Sequence, residues 1–161
     1  MARSSSRRSP TRVAGRVPAD RPSGSRSVPA TRKDDGTQLA RLRDLCLSMP
    51  GAVEKTSHGE PTFFTPKRVF AMFANNHHDD GHVAVWLPAG PGAQDMMIEE
   101  APQIYFRPPY VGPAGWIGVE LSRVDDDQLG ALIREAFQLS AAKDRKTSGR
   151  RRVAPRRGRS G

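Results

Sequence analysis

Apolar residues recur at helical spacing near both ends of the central chain and alternate as in strands between them. Leu39, Leu42, Leu45 or Cys46, and Met49 fall three or four apart, with Arg41, Arg43 and Asp44 directed elsewhere. That spacing predicts an amphipathic helix with Thr37 as N-cap, stopped by Pro50-Gly51. Leu129, Leu132, Ile133, Ala136, Phe137 and Leu139 repeat the pattern behind Asp125-Asp126-Asp127, whose carboxylates suit the positive end of a helix dipole. This second helix is expected to fade by about Lys143. Between the two, Thr62 to Thr65 and Val69 to Phe73 flank Pro66-Lys67-Arg68 as a hairpin, and His82 to Leu87 reads as a third strand. Trp116, Gly118 and Glu120 alternate with Ile117, Val119 and Leu121, the period of a half-buried strand. Residues 52–61 read as a connecting loop, 75–81 as a polar turn, and Ala93 to Ala101 as a short helix closed by Pro102. The order predicts an α+β fold, an antiparallel sheet with two terminal helices packed on one face.

Composition divides the chain in three. Residues 1–36 carry net +6, residues 37–142 net −5 and residues 143–161 net +8, so the overall +9 belongs to the ends. Both ends are rich in Arg, Ser, Gly and Pro and offer too little apolar surface to offset chain entropy, which predicts a disordered basic arm over 1–36 and a disordered Arg-rich tail over 143–161. Arg150, Arg151, Arg152, Arg156, Arg157 and Arg159 place six guanidiniums within ten residues. Each can fork onto a phosphate, and together they predict salt-sensitive binding nearly blind to sequence; the plain alternative is a solubilising tail. The single cysteine, Cys46, excludes an internal disulfide and suits a reducing compartment. No run of apolar residues is long enough to span a membrane and no secretory leader is evident, so a cytoplasmic location is expected.

One stretch stands out for its stiffness: Phe106 to Val119 holds three prolines and three glycines ahead of the last strand. It reads as a rigid loop that either only shapes a connection or presents a binding cleft through Pro109, Tyr110, Gly112 and Trp116, with His58 as a further candidate. Lys67 and Arg68 at the hairpin tip, with Arg107, form a candidate basic wing, against the alternative of ordinary surface charge. His77, His78, Asp79, Asp80 and His82 are metal-ligand types, but their spacing fits no known metal pattern and a polar turn collects these residues anyway, so no metal is expected. No phosphate loop, dinucleotide fingerprint or nucleophile elbow appears, so no cofactor and no catalytic residue are assigned. An enzyme using His58 would need a carboxylate against its ring.

Four pieces carry a family resemblance: Cys46-x-x-x-Pro50-Gly51-x-x-Glu54, His58-Gly59-x-Pro61-x-Phe63, Val69-Phe70-Ala71, and Pro108-Pro109-Tyr110-Val111-Gly112-x-x-Gly115-Trp116-Ile117-Gly118-Val119. In that order they resemble the MmcQ/YjbR family of small bacterial proteins, usually labelled DNA-binding, over about residues 37–142. The resemblance implies a frataxin-like (CyaY-like) fold and a non-enzymatic DNA-binding role. The net-acidic middle assigns the phosphate contacts mainly to the arms, with duplex DNA as the expected partner. The alternative is a small-ligand-binding or protein-docking domain using the Tyr110/Trp116 loop.

Overall fold

The computed structural model describes residues 33–151. Its strands are β1 (Val53–Ser57), β2 (Glu60–Phe64), β3 (Val69–Asn75), β4 (Val83–Pro88), β5 (Tyr105–Phe106) and β6 (Trp116–Glu120). They form one antiparallel sheet in the order β1-β2-β3-β4-β6-β5. The helices are α1 (Thr37–Leu47), α2 (Ala93–Glu100) and α3 (Asp126–Arg151). No helix among the described residues is long and apolar enough to cross a membrane. Residues 1–32 and 152–161 lie outside the described part, and with them most of the expected N-terminal arm and Arg152, Arg156, Arg157 and Arg159.

Residues directly opposite across antiparallel strands point to the same face. The row Phe73, Val85, Val119, Tyr105 faces α1 and α3, where Leu42, Cys46, Leu129, Ile133 and Ala136 complete the core. Phe70, fully buried, meets Phe137 of α3 edge to face, ring centroids 5.2 Å apart. Burial pushes the Cys46 thiol well above its ordinary range, so it stays a neutral, inert core group.

Four expectations need correction. The loop expected over 52–61 contains β1 and most of a hairpin. Its strand was hidden because Val-Glu-Lys-Thr-Ser is an edge strand with no buried residue, and so lacks the alternation that marks a half-buried one. His58 and Gly59 both have positive φ, 53° and 82°, between the paired Ser57 and Glu60, the signature of a two-residue type I′ turn. Thr37 is not the cap of α1. Gly36 holds that position, and Asp34 from outside the helix accepts the amides of Gln38 and Leu39 at 3.0 and 2.9 Å, while Asp35 accepts Thr37 N. The sheet is covered on its second face as well, because Gly118 lies beneath the ring of Phe106 and Glu120 is buried.

The fourth correction matters most. The final helix does not stop near Lys143 but runs to Arg151, so the first half of the expected disordered tail is helical. Lys, Arg and Asp are acceptable helix residues, and the tertiary partners are specific. Ser140 Oγ donates to Val69 O, Thr65 Oγ1 donates to Asp144 Oδ2 at 2.7 Å, and Arg68 Nη2 donates to Thr147 Oγ1 at 3.0 Å. Arg68 Nε also lies 3.2 Å from Asp144 Oδ1, an ion pair off the hydrogen-bonding angle. Asp144→Ala would remove the shorter of two acceptors of the Thr65 hydroxyl, leaving it Arg68 O at 3.1 Å, and free the Arg68 guanidinium, at an expected cost of about 1 kcal/mol. Hydrogen exchange should then show faster exchange confined to the last turns of α3; unchanged protection there would refute the docking.

Arg43 anchors α1 to β1, donating twice to the Glu54 carboxylate at 2.6 and 2.7 Å. These hydrogen bonds hold the Glu54 carboxyl below its ordinary value, against a smaller opposing effect of burial. A depressed carboxyl contributes stability above its unfolded pKa, roughly 4.3, and loses it as pH falls through the lower folded value. The pair is partly exposed, so the contribution should be at most about 1 kcal/mol. The urea midpoints of wild type and Glu54→Gln should differ at pH 7 and converge near pH 3, and a gap that persists in acid would contradict this.

Candidate functional site

The second face of the sheet is crossed by a row to which every strand contributes: Lys55, Thr62, Met72, Trp86, Gly118 and Phe106. Two loops fold over it from opposite ends. The first, between β3 and β4, is built by Asn76. Its side chain bonds Asp79 Oδ1 and the Gly81 amide, and its backbone N–H donates to His82 O at 2.7 Å. Held this way, the 3-10 turn His77–Asp79 sets His77 edge-on against Trp86, centroids 5.2 Å apart.

The second loop follows β5. Val111 N donates to Pro109 O at 2.7 Å across Tyr110, whose φ is +63°. A three-residue turn around a positive φ is rare and strained for a residue with a side chain. Gly112 N donates to Pro108 O, and Gln94 of α2 clamps the loop at two points by donating Nε2 to Gly112 O (2.7 Å) and to Trp116 O. The Tyr110 ring is 74% exposed, yet its hydroxyl lies 3.1 Å from His78 Nε2 and joins the two loops.

Beneath that bridge two polar atoms have no partner among the described residues, Trp86 Nε1 and His77 Nε2. Trp86 is only 4% exposed, so its indole N–H is deeply desolvated. At the sheet end His82 stacks on Phe106, centroids 4.1 Å apart and planes at 11°, with Nδ1 at 3.1 Å from the buried Glu120. The histidines of the cluster thus serve different partners. Among the described residues no three His, Cys, Asp or Glu side chains come together as a metal set.

The site residues expected from sequence are therefore partly gathered and partly dispersed. Pro109, Tyr110, Gly112 and Trp116 share one clamped loop. His58 does not join them; it sits in the β1–β2 turn, exposed, with Nδ1 near Ser57 Oγ at 3.1 Å, and among the described residues no carboxylate bonds its ring. Arg107 packs its stem on Gly112 and pairs with Asp95 beside the edge strand β5, whereas Lys67 and Arg68 sit at the β2–β3 turn with β4 and β6 in between. The wing of three cations is thus two separate places.

Lys67 and Arg68 belong instead with α3. Lys67 Nζ donates to Ser148 Oγ, so the hairpin tip and the helix end form one body. Beside it an open cleft of about 410 Å³ has Lys143 and Lys146 on one wall and Gly90-Pro91-Gly92, Ala114 and Gly115 on the other. Of the described cations at this end of the fold only Lys143 and Lys146 line the cleft, with Asp95 across from them, while Asp144 is held by Thr65 and Arg68. Arg150 and Arg151 close the helix; their side chains lie outside the described part.

The sequence profile of the YjbR family matches residues 47–139, more than half of the chain. The chain belongs to the YjbR family. Its fold also resembles the crystal structure of the Deinococcus radiodurans protein DR2400, which contains a DUF419 domain, the same family. That likeness has a TM-score of 0.53 at 20% identity, covers 63% of this chain and 76% of the other, and bears on the fold alone. A search of curated proteins gives no match. The YjbR profile spans both loops over Trp86 but ends before Asp144, so the basic end of α3 lies outside the matched segment.

Proposed function

We propose that this YjbR-family protein is a non-enzymatic nucleic-acid-binding protein that holds duplex DNA, with weak sequence preference, through phosphate contacts at the basic end of α3. The observation that carries the reading is the docking of the last turns of α3 against the β2–β3 hairpin through Thr65, Lys67 and Arg68. Cations on a fixed surface lose little conformational freedom on binding, so they contribute more per contact than cations on a free arm. The acidic middle of the chain weighs less against the reading because Lys67 and Arg68 dock on the same end of α3 that carries Lys143, Arg145, Lys146, Arg150 and Arg151. The packing of both terminal helices on one face of an antiparallel sheet supports a frataxin-like reading of the fold.

The test is anisotropy of a labelled 20-base-pair duplex with the full chain across a salt series. A protein making six to ten phosphate contacts should lose roughly 10³ to 10⁵ in affinity between 50 and 200 mM salt. Absence of binding at 50 mM, or binding indifferent to salt, would overturn the reading. The clamped loop with its exposed Tyr110 ring supports a second reading, a docking surface for a small ligand or a protein.

A further inference from the structure

The two loops over Trp86 combine features that a mere connection does not need. His78, Asp79 and Tyr110 all have left-handed φ of 53°, 60° and 63° without being glycine. Such conformations cost free energy and gather at clamps and switches. The strain is concentrated where the loops touch, at the His78–Tyr110 bond. Directly below lie an indole N–H and an imidazole nitrogen, both desolvated and unpartnered among the described residues. A buried donor is left in this state at a cost that a ligand acceptor would remove. The walls are aromatic and meet edge to face: His77 on Trp86 at 5.2 Å and His77 against Tyr110 at 6.1 Å. The chemistry that fits is a flat heteroaromatic ring with an acceptor for Trp86 Nε1 and a complementary atom for His77 Nε2.

We infer that the Tyr110 loop is a cap that opens at the His78–Tyr110 bond to admit one unpaired nucleobase onto Trp86 and His77. This inference rests on the nucleic-acid reading above and names its substrate: a bulged or single-stranded nucleotide in preference to an unbroken duplex. Base-on-aromatic stacking sets the expected preference at about 5- to 150-fold.

The experiment measures binding of the full chain to a blunt duplex, the same duplex with a one-base bulge, and a dT10 strand, while following tryptophan emission. The expected result is tighter binding to the bulge and to dT10, with quenching that disappears in Trp86→Phe. Tyr110→Ala and Trp86→Phe should bring both down to the affinity of the blunt duplex and leave that affinity unchanged. Trp86→Phe keeps an aromatic face but loses the indole N–H and part of the ring, so its urea midpoint is measured beside its binding to separate lost contact from lost folding. Equal affinity for all three probes, with no quenching, would overturn the cap while leaving duplex binding intact. Failure of every probe to bind would remove the nucleic-acid reading and this inference together. Free dTMP serves as the last arm: saturable quenching by it, without preference for the bulge, would assign the site to a free nucleotide and overturn the strand version.

Discussion

Phe70→Ala should cost about 3–5 kcal/mol, the range for removing a fully buried phenylalanine. Phe70 has no exposed surface, sits on the strand with which α3 packs most closely, and meets Phe137 edge to face at 5.2 Å. Its loss removes the transfer free energy of the ring, opens a cavity between sheet and helix, and breaks an aromatic pair worth a further about 0.5–1.5 kcal/mol. Domains of this size have about 5–15 kcal/mol in all, so the variant should be marginal at room temperature. Urea unfolding followed by circular dichroism would show a sharply lower midpoint. A loss under about 1 kcal/mol would mean that α3 is not seated on β3 as described.

The second large effect concerns binding. Exchanging Lys143 and Lys146 for glutamine removes two exposed cations one helical turn apart without adding an opposite charge. Each lysine that neutralises a phosphate contributes about one unit to the salt slope, so the double variant should lower the slope of log K against log salt by roughly 2. It should weaken binding at 50 mM salt to every duplex alike. The companion variant, with Arg152, Arg156, Arg157 and Arg159 exchanged for glutamine, separates the tail from the fixed surface. If that variant loses all binding and the lysine variant loses none, the tail alone carries the affinity and the basic end of α3 is only a support. A truncation at residue 142 would not serve, because it removes Asp144, Thr147 and Ser148 and with them the docking of the hairpin.

Much of this was legible in the sequence. The stripes from Leu39 to Met49 and from Leu129 to Leu139, the hairpin around Lys67 and the strands before Pro88 and after Gly115 all followed from period and punctuation, because burial on one side imposes a period. The failures share a different cause. β1 buries none of its residues, so no period marks it. The continuation of α3 depends on Asp144 meeting Thr65, a partner 79 residues away that composition cannot register. The loop from Pro108 to Gly115 was recognised as rigid, but its clamp, Gln94, gave no signal, since one glutamine in a short helix is unremarkable until its amide is seen spanning the loop. In the sequence His77 and His78 read as members of a polar turn. Their meeting with Tyr110 and Trp86 is decided by strand order, which places β6 and β5 beyond β4 and lets the two loops close over one face.

The sheet also ends differently on its two sides. β5 is only two residues long and α2 packs beside it, so that border has little backbone to offer. β1 presents five residues along an outer border, with Val53 exposed and Lys55 placed over the Phe64 ring. Among the described residues, growth of the sheet by another chain therefore has one open side, and the charged residues Glu54 and Lys55 make that side unattractive to a copy of itself. Exchanging these charges for apolar residues would let two copies pair β1 to β1, a dimer in which neither copy keeps an open border.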